Sequence, residues 1–274
     1  LALSVSSLGR DSEMLSGMLR YGSVALTSLI PLIAGAFVDG VARTVLWLVA
    51  ILLIFVAMGV SGGAEFIVRA GHFAERHGLI MIVALGEVIV AVGVPVVRAL
   101  EEGGQKLSNE STLALLASGG FAGLLWWLYF DRAQHALEHR TEELVEPERS
   151  SMARDLYTIG HIPMVGGVIL AAAAVEEIAL HPSDEVGTTF GLMLFGGVAL
   201  FLVGISGAAY RAHRAITYER LIGALVVGAI IALGAGLPGM WVLVLVDLVL
   251  LGIILTEYVR YPEHTNEAKS HAAA

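Results

Sequence analysis

Three ionisable side chains lie inside long apolar runs of this sequence. Glu87 and Asp247 lie near the middle of two such runs, and His161 lies five residues into a third. An ionisable group at the centre of a bilayer costs about 2.5–3.5 kcal/mol on insertion scales, so such residues are candidates for a function by default. Carboxyl and imidazole groups exchange protons and bind cations, and the sequence therefore points to proton or cation handling.

The surroundings of the two carboxyls differ. Glu87 has Ala84 and Ala91 at helical offsets of three and four, and these small neighbours favour burial against another helix. The helical neighbours of Asp247 are bulky and apolar, so no polar surface continues from it. We predict that both bind a proton or cation; the alternative is a protonated carboxyl that only hydrogen-bonds to a neighbouring helix. If the two carboxyls meet, they are expected to share one proton or one cation.

His161 belongs to a polar stripe with helical spacing, in which residues at i, i+3, i+4 and i+7 are polar. We expect this stripe to line the cytoplasmic half of an ion path. Pro163 follows closely and removes a backbone hydrogen bond to the carbonyl of Ile159, which predicts a kink. The alternative is a histidine that merely bonds a neighbouring helix. The predicted path-lining residues are Arg154, Asp155, Tyr157, Thr158 and His161.

Other chemistry finds less support. Residues 135–139 spell H-x-x-E-H, a zinc-protease pattern, but they lie among five glutamates, which is typical of a solvated amphipathic helix. The chain has no cysteine, so thiolate metal sites and thiol nucleophiles are excluded. We predict no catalytic residue, no metal site, no cofactor and no enzymatic activity; an intramembrane enzyme acting on lipid is a weaker alternative.

The composition is that of a membrane protein. The 274 residues are 57% hydrophobic and 15% charged, with a mean hydropathy of +0.79, whereas soluble domains carry about 25% charged residues. The net charge of -9 argues against a nucleic-acid partner, because phosphate binding requires clustered Lys and Arg. The expected partners are membrane lipids and protons or small cations; the sequence does not reveal an oligomeric state.

Eight apolar runs of 17 to 22 residues are each long enough for a transmembrane helix. The last two are separated only by Pro238-Gly239, a strong turn signal. We therefore predict an all-α, polytopic transmembrane helical bundle with eight spans. The runs are Tyr21–Val38, Thr44–Ala64, Gly78–Val97, Ser111–Phe130, Leu156–Val175, Thr188–Ala209, Leu221–Leu237 and Met240–Thr256.

The basic residues assign an orientation. Of the 16 Lys and Arg residues, 13 fall in one set of alternate connections and 3 in the other. Positive charge accumulates on the cytoplasmic side, so we predict that both termini are cytoplasmic and that the protein lies in a bacterial inner membrane. Trp126, Trp127 and Tyr129 then mark an interfacial aromatic belt, and glycine pairs such as Gly119 and Gly123 indicate close helix packing.

Residues 1–260 are predicted to form a single transmembrane helical domain, followed by a polar, disordered tail over residues 261–274. The chain opens at Leu1 with an apolar stretch and no preceding basic segment. We expect it to be a fragment of a longer protein, with at least one helix upstream.

Three ordered motifs resemble the bacterial low temperature requirement protein A family. The first runs from His72–Leu79 through Ala84–Glu87 into Ala91–Gly93, the second is Trp126–Asp131 and the third is Arg154–Pro163. The resemblance implies a multi-span inner-membrane protein required for growth in the cold, and it carries no defined biochemical activity. The chain departs from the family at His77, where an aromatic residue is expected.

Two hypotheses follow from these observations. In the first, the chain is a transporter or ion-conducting bundle in which Glu87 binds a proton or cation and His161 lines the path with Tyr157 and Arg154. In the second, it is a non-transporting membrane component for cold adaptation or membrane homeostasis, in which buried charges only hold helices together.

Overall fold

The computed structural model describes residues 19, 22–60, 70–103, 109–145, 148–234 and 236–260. Within these ranges the secondary structure is helical, apart from an isolated bridge between Glu185 and Pro238. The helices and two π-helical turns are α1 (Leu29–Ala36), α2 (Gly40–Val60), α3 (Ala70–Gly103), α4 (Asn109–Trp127), π1 (Leu128–Ala133), α5 (Gln134–Glu142), α6 (Glu148–Ala153), π2 (Arg154–Ile159), α7 (Gly160–Leu180), α8 (Thr188–His213), α9 (Tyr218–Leu233) and α10 (Gly239–Arg260).

The all-helical class is confirmed, and each of the eight predicted apolar runs contains a helix. Six helical segments are long and apolar enough to cross a membrane: Gly40–Ala57, Gly71–Gly93, Asn109–Glu142, Glu148–Leu180, Thr188–His213 and Gly239–Arg260. The first and seventh predicted runs form shorter helices. Gly22–Ala36 is interrupted by a turn at Ser28, and α9 has 16 residues. The predicted tail over residues 261–274 lies outside the described residues.

The chain divides into two compact units. The first comprises the described residues of Leu1–Val68 and Glu146–Ser151, in which α1 packs on α2. A Cβ added to Gly35 would lie 2.5 Å from the indole nitrogen of Trp47, so only glycine fits there. The second unit comprises the described residues of Arg69–Val145 and Met152–Ala274, and it contains the predicted site residues.

In the second unit, α7 and α8 pack with their backbones in direct contact. A Cβ added to Gly167 would lie 2.5 Å from the carbonyl oxygen of Gly197 and 2.7 Å from the backbone nitrogen of Phe201. One added to Gly204 would lie 2.8 Å from the side chain of Met164. Gly197 and Gly204, seven residues apart on α8, therefore allow the backbone of α7 to approach closely. Small residues permit close helix packing in membranes in this way.

The predicted glycine pair on α4 does not serve this purpose. Added Cβ atoms at Gly119 and Gly123 would meet nothing within 4 Å. On α9, by contrast, Gly228 faces the ring of Phe195, which would lie 3.0 Å from an added Cβ. Spacing alone thus identifies residues that permit a close contact, and the partner helix decides which of them are used.

We expect Gly167→Ala to destabilise the protein by about 1–3 kcal/mol, because the added methyl meets backbone atoms that cannot rotate away. Gly166→Ala is the matched control, since nothing lies within 4 Å of its added Cβ. Thermal unfolding of the two variants in detergent measures the difference. Equal unfolding temperatures would contradict the close contact of α7 and α8.

A buried ion pair joins α9 to α10. Arg220 donates two hydrogen bonds to the carboxylate of Glu257, one of them 3.0 Å long from Nη2 to Oε2, and both side chains are 6% exposed. Arg260 approaches Glu219 at 3.4 Å. Arg220 had been counted only among the basic residues that orient the chain; its burial makes it an internal link between two helices.

Removal of one partner leaves the other charge buried and unpaired, which typically costs about 3–5 kcal/mol. We therefore expect Glu257→Gln to lower the free energy of unfolding by this order. The control Arg43→Gln breaks a pair with Asp39, which is 91% exposed, and should cost less than about 1 kcal/mol. Chemical denaturation of both variants in detergent compares them, and similar losses would argue against burial of the Glu257 pair.

Candidate functional site

Two π-helical turns position the candidate site. In π1 the N–H of Gln134 bonds to the carbonyl of Tyr129, and in π2 the N–H of Gly160 bonds to the carbonyl of Asp155. Both bonds span five residues, one more than in an α-helix, and such turns occur frequently at functional sites. The extra residue rotates the side chains of each turn relative to the helix beyond it. The rings of Tyr129 and Tyr157 are buried in this way.

Just after each π-turn, a histidine side chain hydrogen-bonds to the backbone carbonyl of the residue five positions earlier. Nδ1 of His135 lies 3.1 Å from the carbonyl oxygen of Phe130, and Nδ1 of His161 lies 3.1 Å from that of Leu156. A carbonyl oxygen only accepts, so Nδ1 of each ring carries the hydrogen and donates. His135 is exposed and His161 is buried, so only the second imidazole is isolated from solvent.

The second nitrogen of His161 faces Tyr129. Its Nε2 lies 2.6 Å from the hydroxyl oxygen of Tyr129. Because Nδ1 of the neutral ring holds the hydrogen, Nε2 is an acceptor and the Tyr129 hydroxyl donates. A proton added to Nε2 would reverse this bond, so that the imidazolium donates and the hydroxyl oxygen accepts. The pair can therefore hold a proton without exposing either group to hydrocarbon.

Two further rings, those of His77 and Tyr157, contact His161, and Phe73 packs against both of them. We call the set of Phe73, His77, Tyr129, Tyr157 and His161 the His–Tyr cluster. The His77 ring lies edge-on at 5.0 Å from that of His161, and the Tyr157 ring stacks on His161 at 5.6 Å. His77 donates from Nδ1 to the carbonyl of Phe73 at 2.8 Å, because that oxygen can only accept. Its Nε2 is then an acceptor in the neutral ring, as in His161.

Tyr157 contributes an unpaired hydroxyl. Its side chain is fully buried, and its oxygen has no hydrogen-bond partner among the described residues. A buried hydroxyl without a partner is costly. The ring of Tyr157 packs against both imidazoles of the cluster.

The residues of the predicted polar stripe face two different directions in the structure. Tyr157 and His161 point into the cluster, whereas Arg154 is 39% exposed and donates to Asp155 at 2.9 Å. Asp155 also accepts from Arg211 of α8, at 2.9 Å, and so fixes the start of α7 to the end of α8. Thr158 is half-buried. Asp155 and Arg154 thus form an ion-pair network at the bundle end, next to the cluster in sequence but directed away from it.

The two deep carboxyls are not part of the His–Tyr cluster. The prediction that Glu87 is buried is wrong for the described residues, because its side chain lies on the exposed face of α3 with Val83 and Val90. Ala84 turns inward instead and is buried. Asp247 is half-buried on α10, where its Oδ2 would lie 3.3 Å from a Cβ added to Gly120.

Sequence reasoning missed three members of the cluster: Phe73, His77 and Tyr129. Tyr129 was assigned to an interfacial belt with Trp126 and Trp127; those two are 49% and 43% exposed, but Tyr129 is buried. The partner that buries Tyr129 is His161 on another helix, and no periodic pattern reveals that contact. His77 does carry a signal, because it occupies an aromatic position of the motif, and in the structure its ring packs among aromatic rings.

The H-x-x-E-H sequence forms no such cluster. His139 lies 3.4 Å from Glu143, while His135 bonds back to its own turn. Among the residues that the structure describes, no three His, Asp or Glu side chains group as metal ligands.

These features define a multi-span helical membrane protein with an imidazole and phenol cluster near one end of its bundle. Over residues 2–255 the chain matches the family of the Bacterial low temperature requirement A protein (LtrA), and it belongs to that family. It is 29% identical over 236 residues to an uncharacterized protein of Rhizobium meliloti (strain 1021). The match covers 83% of this chain and 56% of that protein, so the chain spans little more than half of its relative. No solved structure matches the chain significantly.

The Tyr129–His161 bond can be tested with two matched variants. Tyr129→Phe leaves Nε2 of His161 buried without a partner and should cost about 1–3 kcal/mol. Tyr157→Phe removes a hydroxyl that already lacks a partner, so it should be neutral or slightly stabilising. Thermal unfolding in detergent distinguishes them. Equal destabilisation by the two variants would show that the bond contributes nothing specific.

Proposed function

We propose that this chain is an eight-span protein of the bacterial inner membrane, with both termini in the cytoplasm, whose bundle transports protons or small cations. The uneven distribution of Lys and Arg supports the orientation. Eight spans require Gly22–Ala36 and α9 to cross as well. Local thinning of the bilayer and snorkelling of flanking residues allow such short helices to span.

The observation that carries the transport proposal is the buried Tyr129–His161 hydrogen bond, 2.6 Å long, beside a second imidazole. Histidine exchanges protons near neutral pH, and histidines inside membrane helices recur in proton relays. His77 is half-buried and His161 is buried, so the two rings lead from the bundle end toward its interior. We place the proton-handling group here rather than at Glu87, which faces outward.

The proposed step uses only atoms of this cluster. A proton arriving at Nε2 of His77 makes that ring cationic, and the adjacent His161 stays neutral because two imidazolium rings 5.0 Å apart repel. When the proton passes to Nε2 of His161, the Tyr129 hydroxyl rotates from donor to acceptor.

A second candidate function is a non-transporting membrane component for cold adaptation or membrane homeostasis. One observation favours it: the most deeply buried charges, Arg220 and Glu257, satisfy each other in a bidentate pair. Closed pairs of this kind hold helices together and need no moving ion. The two functions differ in whether the liposome-embedded protein conducts at all.

Proton flux into liposomes, reported by an enclosed pH-sensitive dye, tests the proposal. We expect His161→Gln and Tyr129→Phe to reduce the flux by about tenfold or more, the least that a positioned proton-transfer group usually contributes. Tyr258→Phe is the control, because it removes a hydroxyl that donates to Asp131 at 2.9 Å, outside the cluster. Wild-type protein without flux would favour the non-transporting function. A conducting wild type with unchanged flux in both variants would contradict the role of the His–Tyr cluster in the path.

A further inference from the structure

Asp247 is an ionisable group in the membrane-spanning part of the second unit that the proposed proton path does not use. It lies on α10 beside Gly120 of α4. Gly120 precedes Tyr129 by nine residues, which corresponds to about 14 Å along a helix axis. We infer that Asp247 holds its proton as a neutral carboxylic acid and forms a second proton-binding site, open to apolar reagents from the lipid side. This inference does not depend on the transport proposal.

One carboxyl oxygen of Asp247 lacks a partner within the described part of the chain. Oδ1 is buried and has no hydrogen-bond partner among the described residues, and no ion pair to either oxygen occurs there. The nearby hydroxyl of Ser118 is already used, because it donates to the carbonyl of Ala114 at 2.7 Å. An ionised carboxylate in such a place would pay a desolvation cost with nothing to offset it, so the group neutralises by binding a proton.

No basic side chain of the packed helices neutralises Asp247 instead. On α9 the basic residue is Arg220, which bonds to Glu257 of α10. Glu257 lies ten residues after Asp247 and therefore about 15 Å from it along α10. On α4 the charged residue is the acidic Glu110 at its first turn. The charged residues of α7 are Glu176 and Glu177, also acidic. The surrounding helices thus add no positive charge at this depth.

This position is a poor binding site for a metal cation. Hard cations take about six or more oxygen ligands, and Asp247 brings one carboxyl among apolar neighbours such as Leu243 and Leu250, both buried. A proton needs only one oxygen. The chemistry of the surroundings therefore selects a proton over a metal ion.

The site is open on one side. Gly120 is exposed, and the flanking Leu116 and Leu248 are 69% and 57% exposed. The missing side chain at Gly120 leaves a gap next to Oδ2 of Asp247. In a bilayer this gap faces hydrocarbon, so an apolar molecule can reach the carboxyl where a charged one cannot.

A hydrophobic carbodiimide is the appropriate probe, because it reacts with protonated carboxyls. The acid proton moves to one carbodiimide nitrogen while a carboxyl oxygen bonds to the central carbon and one C=N double bond becomes single. The acyl group then migrates from that oxygen to a nitrogen and gives a stable N-acylurea. The sequence is an addition followed by a rearrangement, so nothing leaves and no oxidant is required.

The experiment treats the full chain in liposomes with N,N′-dicyclohexylcarbodiimide and locates the adduct by peptide mass spectrometry. A Glu87→Gln background removes the other deep carboxyl. We expect one adduct on the peptide containing Asp247, its loss in Asp247→Asn, and little labelling there by a water-soluble, charged carbodiimide. Gly120→Ala should slow labelling severalfold, because its added Cβ lies 3.3 Å from Oδ2, whereas Gly119→Ala, with nothing within 4 Å, should not.

Three results would overturn the inference. One is a folded protein, judged by its circular dichroism and monodisperse elution, that stays unlabelled at Asp247. Another is equal labelling by the charged carbodiimide, which would mean that the carboxyl is in water. The third is protection by sodium or potassium ions, which would assign the site to a cation instead of a proton. A failure of the flux assay leaves all of these readouts unchanged.

Discussion

The backbone contact between α7 and α8 is the constraint on which the candidate site depends. Without a hydrophobic driving force between helices in lipid, close packing and internal polar bonds have to hold the bundle together. Gly167, Gly197 and Gly204 bring the two backbones to contact distance, and the Asp155–Arg211 ion pair closes the same interface at its end. This interface fixes the start of α7, and with it Tyr157 and His161.

The π-helical turns follow from the same requirement that backbone groups in lipid are satisfied internally. Pro163 cannot donate a backbone hydrogen bond to Ile159, and the helix already departs from α geometry just before that point, in π2. The imidazole of His161 bonds to the Leu156 carbonyl, so a side chain supplements the backbone in the irregular turn. The same hydrogen bond sets the tautomer that allows Tyr129 to donate. The irregular backbone of π2 and the hydrogen bonding of His161 therefore depend on each other.

Sequence patterns revealed the helices and two of the five residues of the His–Tyr cluster. Apolar length was sufficient to find each run, and His161 and Tyr157 were found because polar residues recurred at helical spacing. Tyr129 was not found, since it lies one helical turn after Trp126 and was grouped with it, whereas its burial comes with its contact to His161 on another helix. The burial of Glu87 was wrongly predicted because small neighbours permit close packing but do not specify which face meets a partner helix. That choice is made by long-range contacts such as Gly167 with Gly197.

A buried polar atom without a hydrogen-bond partner lowers stability. The positions of such atoms are therefore candidates for a role other than holding the helices together. Arg220 and Glu257 are buried and fully bonded to each other, as a structural link should be. Tyr157 and Asp247 each keep a buried oxygen without a partner among the described residues, although a Phe or an Asn could have filled a similar volume. Glu219, next to Arg220, also keeps one such oxygen, while its other oxygen accepts from Arg260. An unpaired hydroxyl beside two imidazoles and an unpaired carboxyl beside an open glycine both cost stability, and both can exchange a proton.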